Sequence, residues 1–325
     1  MVLSVDVGYG DVKAFGGVKK VKFPSAIAPY SFGGSERPHD DFFYSKEKVY
    51  HFDGDDYLLG EMALLDENCK TSRSQEFIEK YSPLFVYAVM ERLNMLKKDG
   101  ENEIDRLAVG IPLTTFVSPA AESFKKRYKE KLKKFVVDNN LVKVKEVDVF
   151  AQGHGIYIDY LTANKKSIDE TVLVVDIGFN TVDILAVVKG TPRKKGSTTL
   201  RNRGVIKVVS NLREYIKEAY GIEVSEQGVK DILNKGGFKL YGNFVDLGEK
   251  IESIVKDYSE WLFNEIKSQK DEFLQSADKL IVAGGGAYYV KNAIPEEYRG
   301  FVFIPQEPEF ANARGYYTLS LSKGL

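Results

Sequence analysis

The sequence predicts an α/β protein made of two similar domains, and three observations carry that prediction. The run Val5-Asp6-Val7-Gly8-Tyr9-Gly10 returns 170 positions later as Val175-Asp176-Ile177-Gly178-Phe179-Asn180, and Val12 matches Val182 in the same register. Each copy reads as a buried strand, a tight glycine turn and a returning strand. Between and after the copies, short apolar β-prone runs alternate with segments of helical spacing. Finally, 325 residues suffice for two domains that each bury a core.

The elements follow in order. After the first hairpin, residues 21–23 predict a strand that stops at Pro24. Residues 30–60 are polar and rich in Gly and Tyr, with β-prone pieces at 42–44, 49–52 and 57–59, and predict a small meander or insertion outside the core. Ser82-Pro83 predicts a helix start, with Leu84, Tyr87, Ala88, Met90 and Leu93 at helical spacing until Lys97, Lys98 and Gly100. Residues 104–111 predict a buried strand ending at Pro112, and Ser118-Pro119 starts a basic helix. A strand over 142–150 and a helix over 151–161 follow, and the polar stretch 162–170 is the expected link between domains. The second hairpin extends to Val188, with a basic turn over 189–196 and a helix over 205–220 closed by Gly221. Residues 245–274 form the longest amphipathic stretch. Leu280-Ile281-Val282-Ala283 is a short buried strand ending in Gly284-Gly285-Gly286, before a final strand at 302–304 and a final helix over 310–321.

Composition narrows the function. Hydrophobic residues make up 43% and charged residues 29%, with a formal net charge of −1, so no general attraction to nucleic acid is expected. Cys69 is the only cysteine, which fits a reducing compartment and excludes a disulfide framework. No apolar stretch approaches the ~20 residues of a membrane span. Residues 1–4 lead into a strand without a basic segment, so no signal peptide and a cytoplasmic location are expected.

The chemistry gathers at three places. In the hairpins, Gly8, Gly10 and Gly178 permit positive φ and allow close backbone approach, so turn amides can converge on an anion, with Lys13 in the returning strand of the first copy only. If Asp6 and Asp176 faced one cleft, like charges ~4 Å apart would cost about 4 kcal/mol at an effective dielectric of ~20, and a divalent cation would reverse that. Gly284-Gly285-Gly286 can bring backbone against a base or phosphate, although the dinucleotide fingerprint and the P-loop are both absent. The third place is the turn Phe150-Ala151-Gln152-Gly153-His154-Gly155, where Gln152 could orient a water and His154 reads as an exposed or capping residue.

In this order the motifs resemble the actin, Hsp70 and sugar-kinase superfamily of ATPases, and most of all the ParM-type plasmid-segregation actins and short archaeal actin relatives. Residues 6–13 look like the first phosphate motif, 109–114 (Val-Gly-Ile-Pro-Leu-Thr) like the strand ending Leu-Pro-Leu-Thr, and 176–183 like the second phosphate motif. Residues 282–287 resemble the adenosine motif and 310–316 the closing helix. The resemblance implies a duplicated, ribonuclease H-like actin fold with a nucleotide cleft between its domains. Domain I would comprise 1–164 and 308–325, with an insertion at about 25–100, and domain II 165–307.

It further implies that Asp6 and Asp176 hold hydrated Mg2+ and that Lys13 contacts the β and γ phosphates. Gly8, Tyr9, Gly10 and Asp11 would clamp the phosphates from one side, and Gly178, Phe179, Asn180 and Thr181 from the other. Gln152 would position the attacking water, where ParM has a glutamate nearby, and Gly284, Gly285 and Gly286 would border adenosine. The implied function is an ATPase, with GTP as the alternative nucleotide, that forms head-to-tail filaments for plasmid segregation through a DNA-bound adaptor or for a cytoskeleton. Neither direct nucleic-acid binding nor membrane association is expected. The insertion at 30–60 and the basic helix around Lys125 are the candidate filament surfaces. A small-molecule kinase and a non-polymerising regulatory nucleotide-binding protein are the alternatives; a kinase would want a carboxylate base where this chain has Gln152.

Overall fold

The computed structural model describes residues 1–30, 48–72, 74–97 and 101–323. The chain forms two compact units, Met1–Ile158 with Asn312–Leu325, and Asp159–Ala311. The first contains β1 (Val2–Val7), β2 (Asp11–Gly16), β3 (Lys19–Pro24), β4 (Ala26–Pro29), β5 (Tyr50–Phe52), β6 (Asp55–Leu59), β7 (Lys70–Thr71) and α1 (Gln75–Arg92). It continues with β8 (Asn102–Ile111), α2 (Leu113–Phe116), α3 (Ala121–Lys133), β9 (Lys134–Val137), β10 (Asn140–Ala151) and the start of α4 (His154–Asn164). The second unit holds β11 (Thr171–Ile177), β12 (Thr181–Val188), β13 (Thr191–Arg201), α5 (Ile206–Tyr220), α6 (Glu226–Lys235), β14 (Gly237–Leu240) and β15 (Asn243–Asp246). After these come α7 (Gly248–Ser276), β16 (Lys279–Ala283), α8 (Ala287–Val290) and β17 (Val302–Phe303); α9 (Ala311–Ser322) returns the chain to the first unit.

The repeat seen in the sequence is a repeat of sheet topology. The first unit's main sheet has the order β3-β2-β1-β8-β10-β9 and the second unit's β13-β12-β11-β16-β17. In each, three strands meander antiparallel and two more continue in parallel beside the first hairpin strand. The hairpin strands β1 and β11 are therefore central and buried on both faces, which explains the apolar run Val172–Val175 in β11 and the burial even of Ser4 and Asp6 in β1.

Several local expectations are corrected. The helix expected at Ser82-Pro83 begins at Gln75, with Ser74 as N-cap accepting from the Phe77 amide, and Pro83 lies inside it. Ser82 is buried and donates to the Ile78 carbonyl at 2.6 Å, so it caps nothing. A proline inside a helix costs about 3 kcal/mol. Burying Leu84, Phe85, Val86, Val89 and Met90 completely, at roughly 1.5–3 kcal/mol each, outweighs it. The helix ends at Arg92 rather than Lys97; Lys98 and Gly100 lie outside the described residues.

The meander is not peripheral. Tyr50, Phe52, Tyr57 and Leu59 belong to the first unit's core, while the strand expected at 42–44 lies outside the described residues. The basic helix starts at Ala121, because Ser118 spends its hydroxyl on the Thr115 carbonyl. The basic turn expected over 189–196 shrinks to Lys189 (φ 47°) and Gly190 (φ 73°), after which β13 pairs back on β12. Two successive positive φ values suit a two-residue hairpin turn, and lysines on an edge strand discourage further pairing. The helix α6, the β14–β15 hairpin and β9 were not anticipated.

The C-terminal helix is fastened within the first unit. Asp148 pairs with Arg106 at 3.0 Å and Lys323 at 2.9 Å and accepts from Ser320 at 2.9 Å. Burial pushes the Asp148 carboxyl up, but Lys323, Arg106 and Ser320 together hold it below its ordinary value.

Candidate functional site

In the first unit the hairpin is closed by Gly8 N–H donating to the Asp11 carbonyl at 3.0 Å, which sets Asp6 across from Lys13. Asp6 is only 5% exposed. Gln152, placed where β10 ends beside β8, donates from Nε2 to Asp6 Oδ1 at 3.1 Å. Asn312 in α9 accepts from the Gly153 amide at 3.0 Å and also hydrogen-bonds Asp6. Burial raises the Asp6 pKa, and Lys13, Gln152 and Asn312 only partly oppose it. A Cβ at Gly110 would overlap Tyr316, and one at Gly155 would overlap the Asn312 carbonyl, so close backbone packing brings these groups together. His154 opens α4 and is half-buried, where an exposed or capping residue is expected, and burial, then Lys323, lowers its pKa.

The second unit builds the same turn. Gly178 N–H donates to the Thr181 carbonyl at 2.9 Å, and Asp176 lies across from Asp183. The turn carbonyls are held from behind: Val205 N–H donates to Gly178 at 3.1 Å and Ile206 N–H to Phe179 at 2.8 Å, at the start of α5. A Cβ at Gly204 would overlap both of those carbonyls. Asp183 is buried and accepts from Thr181 and Thr199, and Lys230 Nζ stands 3.7 Å over the Phe179 ring. The triple glycine packs onto this hairpin. Gly284 has φ +82° and no room for a Cβ against Asp176 Oδ1, Gly286 N–H donates to Ile177 at 2.8 Å, and Gly285 faces open space.

Within the first unit the structure thus gathers Asp6, Gly8, Asp11, Lys13 and Gln152; Tyr9 packs on that unit's core. Within the second it gathers Asp176, Gly178, Phe179, Asn180, Thr181 and the three glycines. Of the two properties glycine offers there, close backbone approach is the one used at Gly8 and Gly178: neither they nor Gly10 are at positive φ. Glycine fits at 8 and 178 because a Cβ there would lie 3.1 Å from the Asp11 or Thr181 carbonyl oxygen. Sequence reasoning missed Asn312 and Gly204. Asn312 lies inside the closing-helix motif, so its signal was present without a role attached.

The comparisons bear on the family and the fold. The sequence model of the N-terminal domain of actin-like proteins matches residues 4–155, and that of the C-terminal domain of the archaeal MreB-like actin homologue matches residues 174–296. The chain belongs to the actin-like proteins. Among solved structures, this actin-like chain is similar to the archaeal actin homologue Ta0583, at 22% identity over 99% of both chains and a TM-score of 0.80. It is also similar to a ParM from Clostridium botulinum, solved as a 15-stranded filament, at 21% identity over 99% of both chains and a TM-score of 0.76. Alp7A matches at 15% identity over 99% of this chain and 96% of its own, with a TM-score of 0.78. A sequence search of curated proteins returns no match. At these identities the structural likeness is one of fold.

The residues suit magnesium by their chemistry. Asp6 and Asp176 each offer hard carboxylate oxygens, and burial raises the Asp6 pKa further than Lys13, Gln152 and Asn312 lower it. Among the described residues no three or more His, Cys, Asp or Glu side chains gather as a direct metal cage. No helix among the described residues is long and apolar enough to cross a membrane.

Proposed function

We propose that this chain is an actin-like ATPase that binds Mg-ATP through both hairpins, assembles head to tail and hydrolyses the γ-phosphate with water. The observation that carries the reading is the doubled hairpin: the same turn bond and register in both copies, each with an aspartate one residue before the last paired position. In support, a solved structure of the archaeal homologue Ta0583 is a complex with ADP, and ParM and Alp12 are solved as filaments.

Each hairpin offers its turn to the phosphates, residues 8–11 in one and 178–181 in the other, with the Gly8 and Gly178 amides spent on closing the turn. Lys13 adds a cation to the first. Asp6 and Asp176 hold the water shell of magnesium, which when bound neutralises phosphate charge. Gln152, steered by its bond to Asp6, orients the attacking water, and the open Gly285 borders the nucleoside. Catalysis of this kind rests on positioning and electrostatics. GTP is the alternative nucleotide, the cytoplasm the compartment, and a plasmid reached through a DNA-bound adaptor, or a cell structure, the cargo.

The test is to mix the protein with Mg-ATP or Mg-GTP and follow light scattering, pelleting and phosphate release together. Nucleotide-dependent pelleting with phosphate release is expected. Turnover without assembly at high protein concentration would remove the filament and leave the ATPase.

A further inference from the structure

Charge in the first unit is segregated into two stretches. Residues 49–69 contain six Asp or Glu and no Lys or Arg, whereas residues 125–134 contain seven Lys or Arg and one Glu, in a chain whose net charge is −1. The acidic stretch covers the β5–β6 turn, β6 and the segment leading to β7, with Asp53, Asp55, Glu61 and Glu67 exposed and Leu65 77% exposed. The basic stretch is the outer face of α3. Phe124, Tyr128 and Leu132 are buried, which turns the lysines outward around a depression of about 230 Å³ lined by Glu122, Lys125, Lys126, Lys129, Glu130 and Lys133. Exposed Val117 and Val136 lie just before and just after this helix.

Part of this charge is satisfied locally. Arg127 and Lys131 reach Glu79 at 3.3 and 3.8 Å, Lys125 reaches Glu122 at 2.9 Å, and Lys133 reaches Glu130 at 3.6 Å. Among the described residues, Lys126 and Lys129 have no ion pair, and neither do Asp53, Asp55, Asp66 and Glu67. No ion pair joins the two stretches within one chain among those residues.

We propose that the acidic stretch of one copy docks on the α3 face of a second copy, with Asp53 and Asp55 against Lys126 and Lys129. The inference rests on the assembly reading above and names its contact. The charges of the two surfaces are opposite in sign, and both carry exposed apolar side chains, Leu65 on one and Val117 and Val136 on the other. Glu122 and Glu130 interrupt the lysine row, which suits a short acidic loop better than a continuous phosphate backbone. Such a contact joins two different surfaces, so each added copy leaves one of each free and the assembly propagates.

Two charge-reversed variants test this, Lys126→Glu with Lys129→Glu, and Asp53→Lys with Asp55→Lys, each checked for an unchanged melting profile. Each alone should raise the protein concentration needed for Mg-ATP-dependent pelleting by about tenfold or more. An equimolar mixture should pellet again, because the intact loop of one variant meets the intact α3 face of the other, and the reversed loop meets the reversed face. Wild-type-like pelleting by both separate variants overturns the pairing and leaves the assembly reading intact. Absence of wild-type pelleting with any nucleotide overturns the assembly reading and this contact with it. Binding of duplex DNA that only the lysine variant loses, with pelleting unchanged, would assign the face to nucleic acid instead.

Discussion

The two hairpins share a backbone and differ in how they treat their aspartate. Both close with a glycine amide on the carbonyl three residues ahead, and both seat the aspartate at the same register. In the first, Asp6 is buried, faces Lys13 and is gripped by Gln152 and Asn312. In the second, Asp176 is half-buried, faces another aspartate and is walled by Gly284. A duplicated fold has thus kept the turn geometry and divided the chemistry. One copy sets a cation, Lys13, and the Gln152 amide beside its aspartate. The other sets a second aspartate, Asp183, across from Asp176 and holds it with Thr181 and Thr199.

The largest break in this comparison is expected at Asp176. Asp176→Ala should lower ATP hydrolysis by about 10²–10³-fold, the scale of losing one preorganised electrostatic group. Phosphate release at wild-type rate would show that the second copy has kept only the fold. Gly284→Ala comes next, since φ +82° and the overlap with Asp176 Oδ1 leave no place for a methyl. A destabilisation of roughly 2–3 kcal/mol is expected. It should appear as a lower melting temperature together with weakened nucleotide binding; an unaltered melt would mean that the glycine loop is loosely held.

How much of this could be read beforehand depended on how local the cause was. The hairpins were legible because a strand, a glycine turn and a returning strand are written within twelve residues, twice. Gly221 at φ 69° closes α5 as its position predicted. Ser82-Pro83 misled because burial of the surrounding apolar side chains overrode a local start signal, while the working cap, Ser74, lies eight residues earlier. The α6 helix had its signals, Ser225 as cap and Gly236 at φ 74°, but only ten residues of pattern between them. Asn312 was invisible as a site residue because its partner Gly153 is 159 positions away. Only the folded sheet and the returning helix bring that pair together.

Gln152 sharpens the division of labour. Gln152→Ala should slow hydrolysis by about tenfold, at the lower end for one positioning group, and leave ATP affinity nearly unchanged. Loss of affinity with unchanged turnover would instead make it a binding residue. Asp6 adds a pH signature. Its pKa lies above the ordinary 3.8, so its stabilising contribution is complete below 3.8 and is lost as pH rises through the folded value. The buried carboxyl therefore burdens the nucleotide-free fold at pH values above the ordinary one. Asp6→Asn keeps an oxygen for Gln152 and should melt higher than wild type at neutral pH, with the gap closing near pH 3.8, while losing hydrolysis. A gap independent of pH would mean that packing, not charge, sets the difference.

The smallest effect tests whether the two turns are mechanically the same. In Gly8→Ala and Gly178→Ala the new methyl meets a carbonyl oxygen at 3.1 Å, and that oxygen already accepts the glycine's own amide, so it cannot withdraw without opening the turn. The strain is partly offset by the lower entropy of an unfolded chain with alanine, worth about 0.4–1 kcal/mol. Lys13 Nζ would lie a further 3.3 Å from the methyl in the first copy only, but the end of a flexible side chain can move aside. Both substitutions should therefore shift stability by under about 1 kcal/mol and by matching amounts, read from the unfolding of the unit that carries each turn. A clearly larger penalty at Gly8 would show that Lys13 is locked over the turn rather than resting there. The first hairpin would then be preorganised for phosphate in a way the second is not.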